Sequence, residues 1–98
     1  MTAIRVLLVE DNEVYRSTLE LLLAGRAGIE IVGSVGDGGE AASAAARLDP
    51  DVVLMDFRLP GLDGAQATAA VRARAPRAAI VCLTAEATAE EREAVLAA

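Results

Sequence analysis

Short aliphatic runs alternate along the chain with stretches whose apolar positions recur at helical spacing. Ile4–Val9 is mostly aliphatic and stops abruptly at Glu10-Asp11-Asn12. So short and β-branched a run predicts a buried strand. Over Glu13–Ala24, Val14, Thr18, Leu21 and Leu22 fall at helical spacing; Asn12 or Asp11 can cap the start, and Gly25 or Gly28 can end it. Ile29–Val35 predicts a second strand, and Gly36-Asp37-Gly38-Gly39 a plain turn. Glu40–Leu48 is an alanine-rich helix, broken by Asp49-Pro50. Val52–Met55 predicts a third strand ending in Asp56, followed by a loop, Phe57–Asp63, with Pro60 and Gly61. Asp63 can cap a helix running to about Arg74, ahead of Pro76. Ala78–Leu83 predicts a fourth strand ending in Thr84, after which Thr88 and Glu91 have capping-box spacing and open a last helix.

A strand-helix unit that recurs in this way predicts an α/β fold: a doubly wound parallel sheet with helices on both faces and right-handed crossovers. The flavodoxin-like arrangement places the strands in the order 2-1-3-4. With 98 residues the chain makes one domain with a small core. Tyr15 and Phe57 are the only aromatic residues, so that core must be aliphatic. No apolar run approaches the roughly 20 residues of a membrane helix. The residues after Met1 lack the basic flank and cleavage site of a secretory leader, and the expected compartment is the cytoplasm.

The net charge of −6 disfavours binding to nucleic acid by these residues. Arg72, Arg74 and Arg77 read as a solvated face. The sequence contains no histidine and no lysine. It therefore offers no histidine base, phospho-carrier or metal ligand of its own. The single cysteine, Cys82, lies in an apolar run and reads as a small buried hydrophobe in a reducing compartment.

The chemistry is expected at the carboxyl ends of the strands, where open parallel sheets bind ligands. Glu10 and Asp11 follow the first strand, Asp56 ends the third and Thr84 follows the fourth. In the order 2-1-3-4, the adjacent carboxylates Glu10 and Asp11 and the distant Asp56 would meet in one crevice. Like charges so placed raise one another's pKa unless something compensates. A hard divalent cation does so, and oxygen ligands favour magnesium, manganese or calcium over zinc. Such a cation neutralises an incoming phosphoryl group while a carboxylate attacks. The Thr84 hydroxyl could donate a hydrogen bond to the product.

These residues also carry a resemblance. Ile4–Asn12, the stretch DVVLMDFRLPGLDG from Asp51 to Gly64, and Val81-Cys82-Leu83-Thr84-Ala85 resemble motifs of the receiver domains of bacterial two-component response regulators. The resemblance covers the whole chain. It implies that Asp56 is the phosphoacceptor. Asp11, Asp56 and the backbone carbonyl of Arg58 would bind Mg2+ (or Mn2+), with Glu10 acting mostly through water. Thr84 would be the switch hydroxyl, and Arg58 and Glu86 would tune dephosphorylation. It further implies a sensor histidine kinase or histidine phospho-carrier as donor, a transcription output outside this chain, and a switch that can dephosphorylate itself but is not a turnover enzyme.

The family carries a lysine and an aromatic switch residue on a fifth strand, followed by a fifth helix, whereas this sequence stops inside its fourth helix. The expectation is a receiver over residues 1–98 that is incomplete at its C-terminal end. Its fourth-strand edge would be available for pairing with a second copy. Three rival readings make different demands on these residues. A haloacid-dehalogenase-like phosphatase needs an acid where Arg58 stands. A flavodoxin needs a hydroxyl- and glycine-rich phosphate loop where Glu10-Asp11 stands. A receiver-like interaction module that is never phosphorylated is the alternative compatible with the missing lysine.

Overall fold

In the computed structural model, residues 3–56 and 64–83 are described, apart from the side chains at 56, 64 and 83. The elements follow as β1 (Ile4–Val9), α1 (Glu13–Ala24), β2 (Ile29–Val35), α2 (Gly38–Leu48), β3 (Val52–Asp56), α3 (Gly64–Arg74) and β4 (Ala79–Leu83). The strands form one sheet in the order β2-β1-β3-β4. All three pairings are parallel, as the alternating pattern requires. The Asp63 cap, the 57–63 loop and the helix expected from Thr88 lie outside the described residues.

Odd and even positions of the central strands face opposite ways, and on β1 both faces are buried from Val6 to Val9. Leu7, Val9, Val53 and Met55 point into a cluster with Ala41, Ala44 and Ala45 of α2 and Ala67 and Val71 of α3. The core is aliphatic, and its helices contribute small side chains, which lets α2 and α3 pack against each other over the sheet. Val6 and Leu8 are buried on the other face, and α1 packs along β2.

The stripe that identifies α1 in the sequence is not the face it buries. Val14, Leu21 and Leu22 are 76%, 78% and 63% exposed. The half-buried positions are Arg16, Leu19, Glu20 and Leu23, which share helical spacing of their own. Helical periodicity shows that a helix forms, but when leucines occupy two faces it does not say which one meets the sheet.

Two boundaries have visible causes. The α2 helix starts at Gly38, two residues ahead of the expected Glu40. Asp37 is its N-cap and accepts a hydrogen bond from the Gly39 N–H at 2.7 Å, so an aspartate cap outweighs two poor helix formers. Part of the expected glycine turn is thus the first turn of a helix. At the other end Asp49 adopts a left-handed conformation, φ 48°. Its carbonyl accepts from Arg5 Nη1 at 2.7 Å, and the Arg5 N–H donates to Asp51 Oδ2 at 2.9 Å. The α2–β3 connection is thereby tied to the start of β1.

Candidate functional site

The carboxyl end of β1 is built around Glu10. Its N–H donates to the Val35 carbonyl of β2 at 3.0 Å. Its carbonyl accepts from Arg16 Nη1 at 2.8 Å, and its Oε1 accepts the Asn12 N–H at 3.1 Å. The residue is only 4% exposed. A buried carboxylate needs hydrogen bonds or a counter-charge to stay ionised, and the Asn12 amide supplies one such bond.

Asp11 is exposed. It stands between Glu10 and Asn12, the N-cap of α1, whose Oδ1 accepts the Tyr15 N–H at 2.9 Å. The positive end of the helix dipole therefore sits beside the acidic pair and eases the repulsion between its charges. Of the two caps the sequence allowed for α1, the structure uses Asn12, which leaves the Asp11 carboxylate facing solvent.

Asp56 closes β3 from the strand beside β1. The ladder pairs Val9 with Met55 and Asp56 with Leu83 of β4. One step on from Val9 and Met55, Glu10 directly follows β1 and Asp56 ends the neighbouring β3, with Asp11 next after Glu10. The topology thus gathers the ends of β1 and β3 at one edge of the sheet. The Asp56 side chain, Arg58, Thr84 and Glu86 lie outside the described residues; Thr84 directly follows the last residue of β4. Among the described residues no three acidic or cysteine side chains cluster as a complete metal site, and the expected trio includes the Asp56 carboxylate. The donors present are all oxygen atoms, one exposed and one buried, a set that suits a hard cation with room for water or phosphate oxygens.

Sequence reading missed Arg16 and Gly36. Arg16 leaves the first turn of α1 and reaches back six residues to the Glu10 carbonyl. No local pattern signals a side chain that bonds to the backbone across a loop. The sequence places Gly36 in a plain turn, but a β-carbon there would lie 2.9 Å from Arg16 Nη1.

Cys82 is partly buried on β4, with its Sγ 3.8 Å from Thr68 Oγ1. Burial raises its thiol pKa, against smaller lowering effects from the Thr68 hydrogen bond and the Arg72 charge. Arg72, Arg74 and Arg77 are all exposed, and Arg77 makes a surface ion pair with Asp49 at 3.6 Å. No described helix is long and apolar enough to cross a membrane.

With this architecture in place, comparison with known proteins assigns the class. The family model of the response regulator receiver domain matches residues 6–98, and the chain belongs to that family, the receivers of two-component signalling. It is 44% identical over 89 residues to a protein-glutamate methylesterase/protein-glutamine glutaminase of Myxococcus xanthus, a match covering 91% of this chain and 24% of that protein. It is 45% identical over 65 residues to the transcriptional regulatory protein LiaR of Bacillus subtilis, covering 66% of this chain and 31% of that one. The chain thus spans about a quarter to a third of these curated relatives. Among solved structures it resembles the receiver domain of the sensor histidine kinase PA1611 from Pseudomonas aeruginosa. There the identity is 40% and the TM-score 0.83, over 99% of this chain and 80% of that one. In that protein a magnesium ion is coordinated in the active site cleft.

Proposed function

We propose that this receiver accepts a phosphoryl group on Asp56 from a phosphohistidine donor and thereby switches a signalling output carried outside these residues. The reading is supported above all by one observation: β1 and β3 are parallel neighbours whose register pairs Val9 with Met55, the residues just before Glu10 and Asp56, at the carboxyl edge of the sheet.

In this reading Asp11, the Asp56 carboxylate and the backbone carbonyl of Arg58 hold a magnesium ion, and Glu10 acts through water. When bound, the ion offsets the charge that three carboxylates and a phosphoryl group bring together. An Asp56 carboxylate oxygen attacks phosphorus in line, forming an acyl phosphate as the phosphorus bond to the donor breaks. The chain contains no histidine, so a phosphohistidine donor belongs to a partner, a sensor kinase or a histidine phospho-carrier. Thr84, immediately after β4, donates a hydrogen bond to the phosphoryl oxygen and serves as the switch hydroxyl. Burial of Glu10 and its bond to the Asn12 amide suit it to shaping the site from behind, while the exposed Asp11 meets the ion.

The likeness to LiaR supports a transcription output, and the likeness to a methylesterase supports an effector enzyme. The acid pair Glu10-Asp11, Asp56 and the Thr84 hydroxyl are all present in the sequence, which supports the switch over an interaction module that is never phosphorylated. On the edge formed by β4 among the described residues, Val81 is 47% exposed, so a second copy pairing there is the partner to look for by sedimentation.

The test is intact-mass measurement after incubation with magnesium and a small phosphodonor. The protein should gain one phosphoryl group, and chelation of the metal or Asp56→Asn should abolish the gain. Uptake by the Asp56→Asn protein would refute the assignment.

A further inference from the structure

We infer that Arg16 is a positioning residue of the acidic site: it holds the Glu10–Asp11 loop in its metal-binding shape, in a space that Gly36 keeps open. This rests on the magnesium reading above and adds to it a residue outside the ligand set.

The loop is fastened at both ends by the first turn of α1. Arg16 donates its own N–H to the Asn12 carbonyl at 2.8 Å, and its Nη1 donates to the Glu10 carbonyl, also at 2.8 Å. One residue therefore bonds the carbonyls of both neighbours of Asp11: that of Asn12 through the ordinary first bond of the helix, that of Glu10 through its side chain. Glu10 is held from the sheet by its N–H bond to Val35, and its carboxylate by Asn12. With both neighbours fixed, the exposed Asp11 carboxylate has little backbone freedom left to lose when it meets a cation.

Gly36, directly after β2, is the third part. A β-carbon at this position would stand 2.9 Å from Arg16 Nη1 and 3.7 Å from the Glu10 carbonyl oxygen. The only glycine with positive φ among the described residues is Gly28, so Gly36 is required for space and not for conformation. Alanine there imposes no backbone strain; it displaces the end of a flexible side chain and breaks the bond that side chain makes.

The sign of the expected effect separates positioning from simple electrostatics. A guanidinium near the site repels a cation, so removal of its charge alone would tighten magnesium binding. Weaker binding after Arg16 is removed can come only from loss of the hydrogen bond and the loop shape it imposes. Gly36→Ala retains the charge and removes only the geometry.

The experiment is calorimetric titration of magnesium into the protein and its Arg16→Met, Arg16→Lys, Gly36→Ala and Arg16→Met/Gly36→Ala variants, with melting temperatures recorded free of metal. Arg16→Met and Gly36→Ala should each weaken binding about 10-fold, the scale on which residues behind metal ligands act. Arg16→Lys should recover part of that loss. The double variant should bind no worse than Arg16→Met, because both changes break one contact. The metal-free melting temperature of Gly36→Ala should stay close to that of the parent. If Arg16→Met or Gly36→Ala binds magnesium as tightly as the parent or tighter, or if their losses add, the inference is overturned while the metal site stands. If the parent itself binds no magnesium, both fall.

Discussion

Leu7 and Leu21 are the same residue type in opposite surroundings, and truncating each tests how this sheet is covered. Leu7 is fully buried, whereas Leu21 is 78% exposed. Leu7→Ala removes three carbons worth about 0.8 kcal/mol each in transfer from water. The cavity adds to that cost, because its lining is tied down: a β-carbon at Gly33 would meet Leu48 Cδ1 at 2.6 Å and Leu7 Cδ1 at 3.5 Å. The expected cost is about 3–4 kcal/mol, within the range for buried leucines. That is a large share of the roughly 5–15 kcal/mol that holds a domain together. Leu21→Ala should stay within about 0.5 kcal/mol of the parent. Urea unfolding followed by far-ultraviolet circular dichroism reads both, since the chain has no tryptophan. A Leu21→Ala cost comparable to that of Leu7→Ala would show that the outer stripe of α1 is buried in solution and refute the arrangement described.

Magnesium at about 100 times its dissociation constant should stabilise the protein by about 2.7 kcal/mol; Asp11→Ala should abolish the gain, as read by melting temperature across a magnesium titration. Asp37→Ala removes the cap that starts α2 early and should cost about 1 kcal/mol in urea unfolding; no loss would mean that the glycines start the helix unaided. Because burial raises the Cys82 pKa above its ordinary 9.0, the thiol stays neutral at pH 8. Iodoacetamide should therefore alkylate it more slowly than free cysteine, and denaturant should remove the difference. The linkage has a matching sign: the folded protein holds this proton more tightly, so the contribution is present below pH 9.0 and lost as pH rises through the folded value. Cys82→Ser should flatten that decline.

The sheet was legible because its signals are strong. Each strand is a short aliphatic run with polar residues at its end, and β1 and β2 form over the stretches their composition suggests. The meeting of the β1 and β3 ends at the carboxyl edge followed from topology, since order 2-1-3-4 makes the two strands neighbours wherever the intervening residues lie. Three features resisted reading for physical reasons. The face α1 buries was hidden because leucines occupy two of its sides. The start of α2 was hidden because Gly38 and Gly39 look like a turn until Asp37 is seen to cap them. Arg16 was hidden because its partner is a backbone carbonyl, and every residue has one of those. Of the acidic residues, the burial of Glu10 beside the exposure of Asp11 was the least foreseeable, since the two are adjacent and chemically alike.

The proposed phosphorylation of Asp56 can be read out residue by residue. After incubation with magnesium and a small phosphodonor, reduction with borohydride converts an aspartyl phosphate to homoserine and leaves unmodified carboxylates alone. Peptide mass spectrometry then reports the position directly. Conversion is expected at Asp56 alone, dependent on magnesium. Conversion at Glu10, Asp11 or any other acid, or none at all under conditions where magnesium binds, would contradict it.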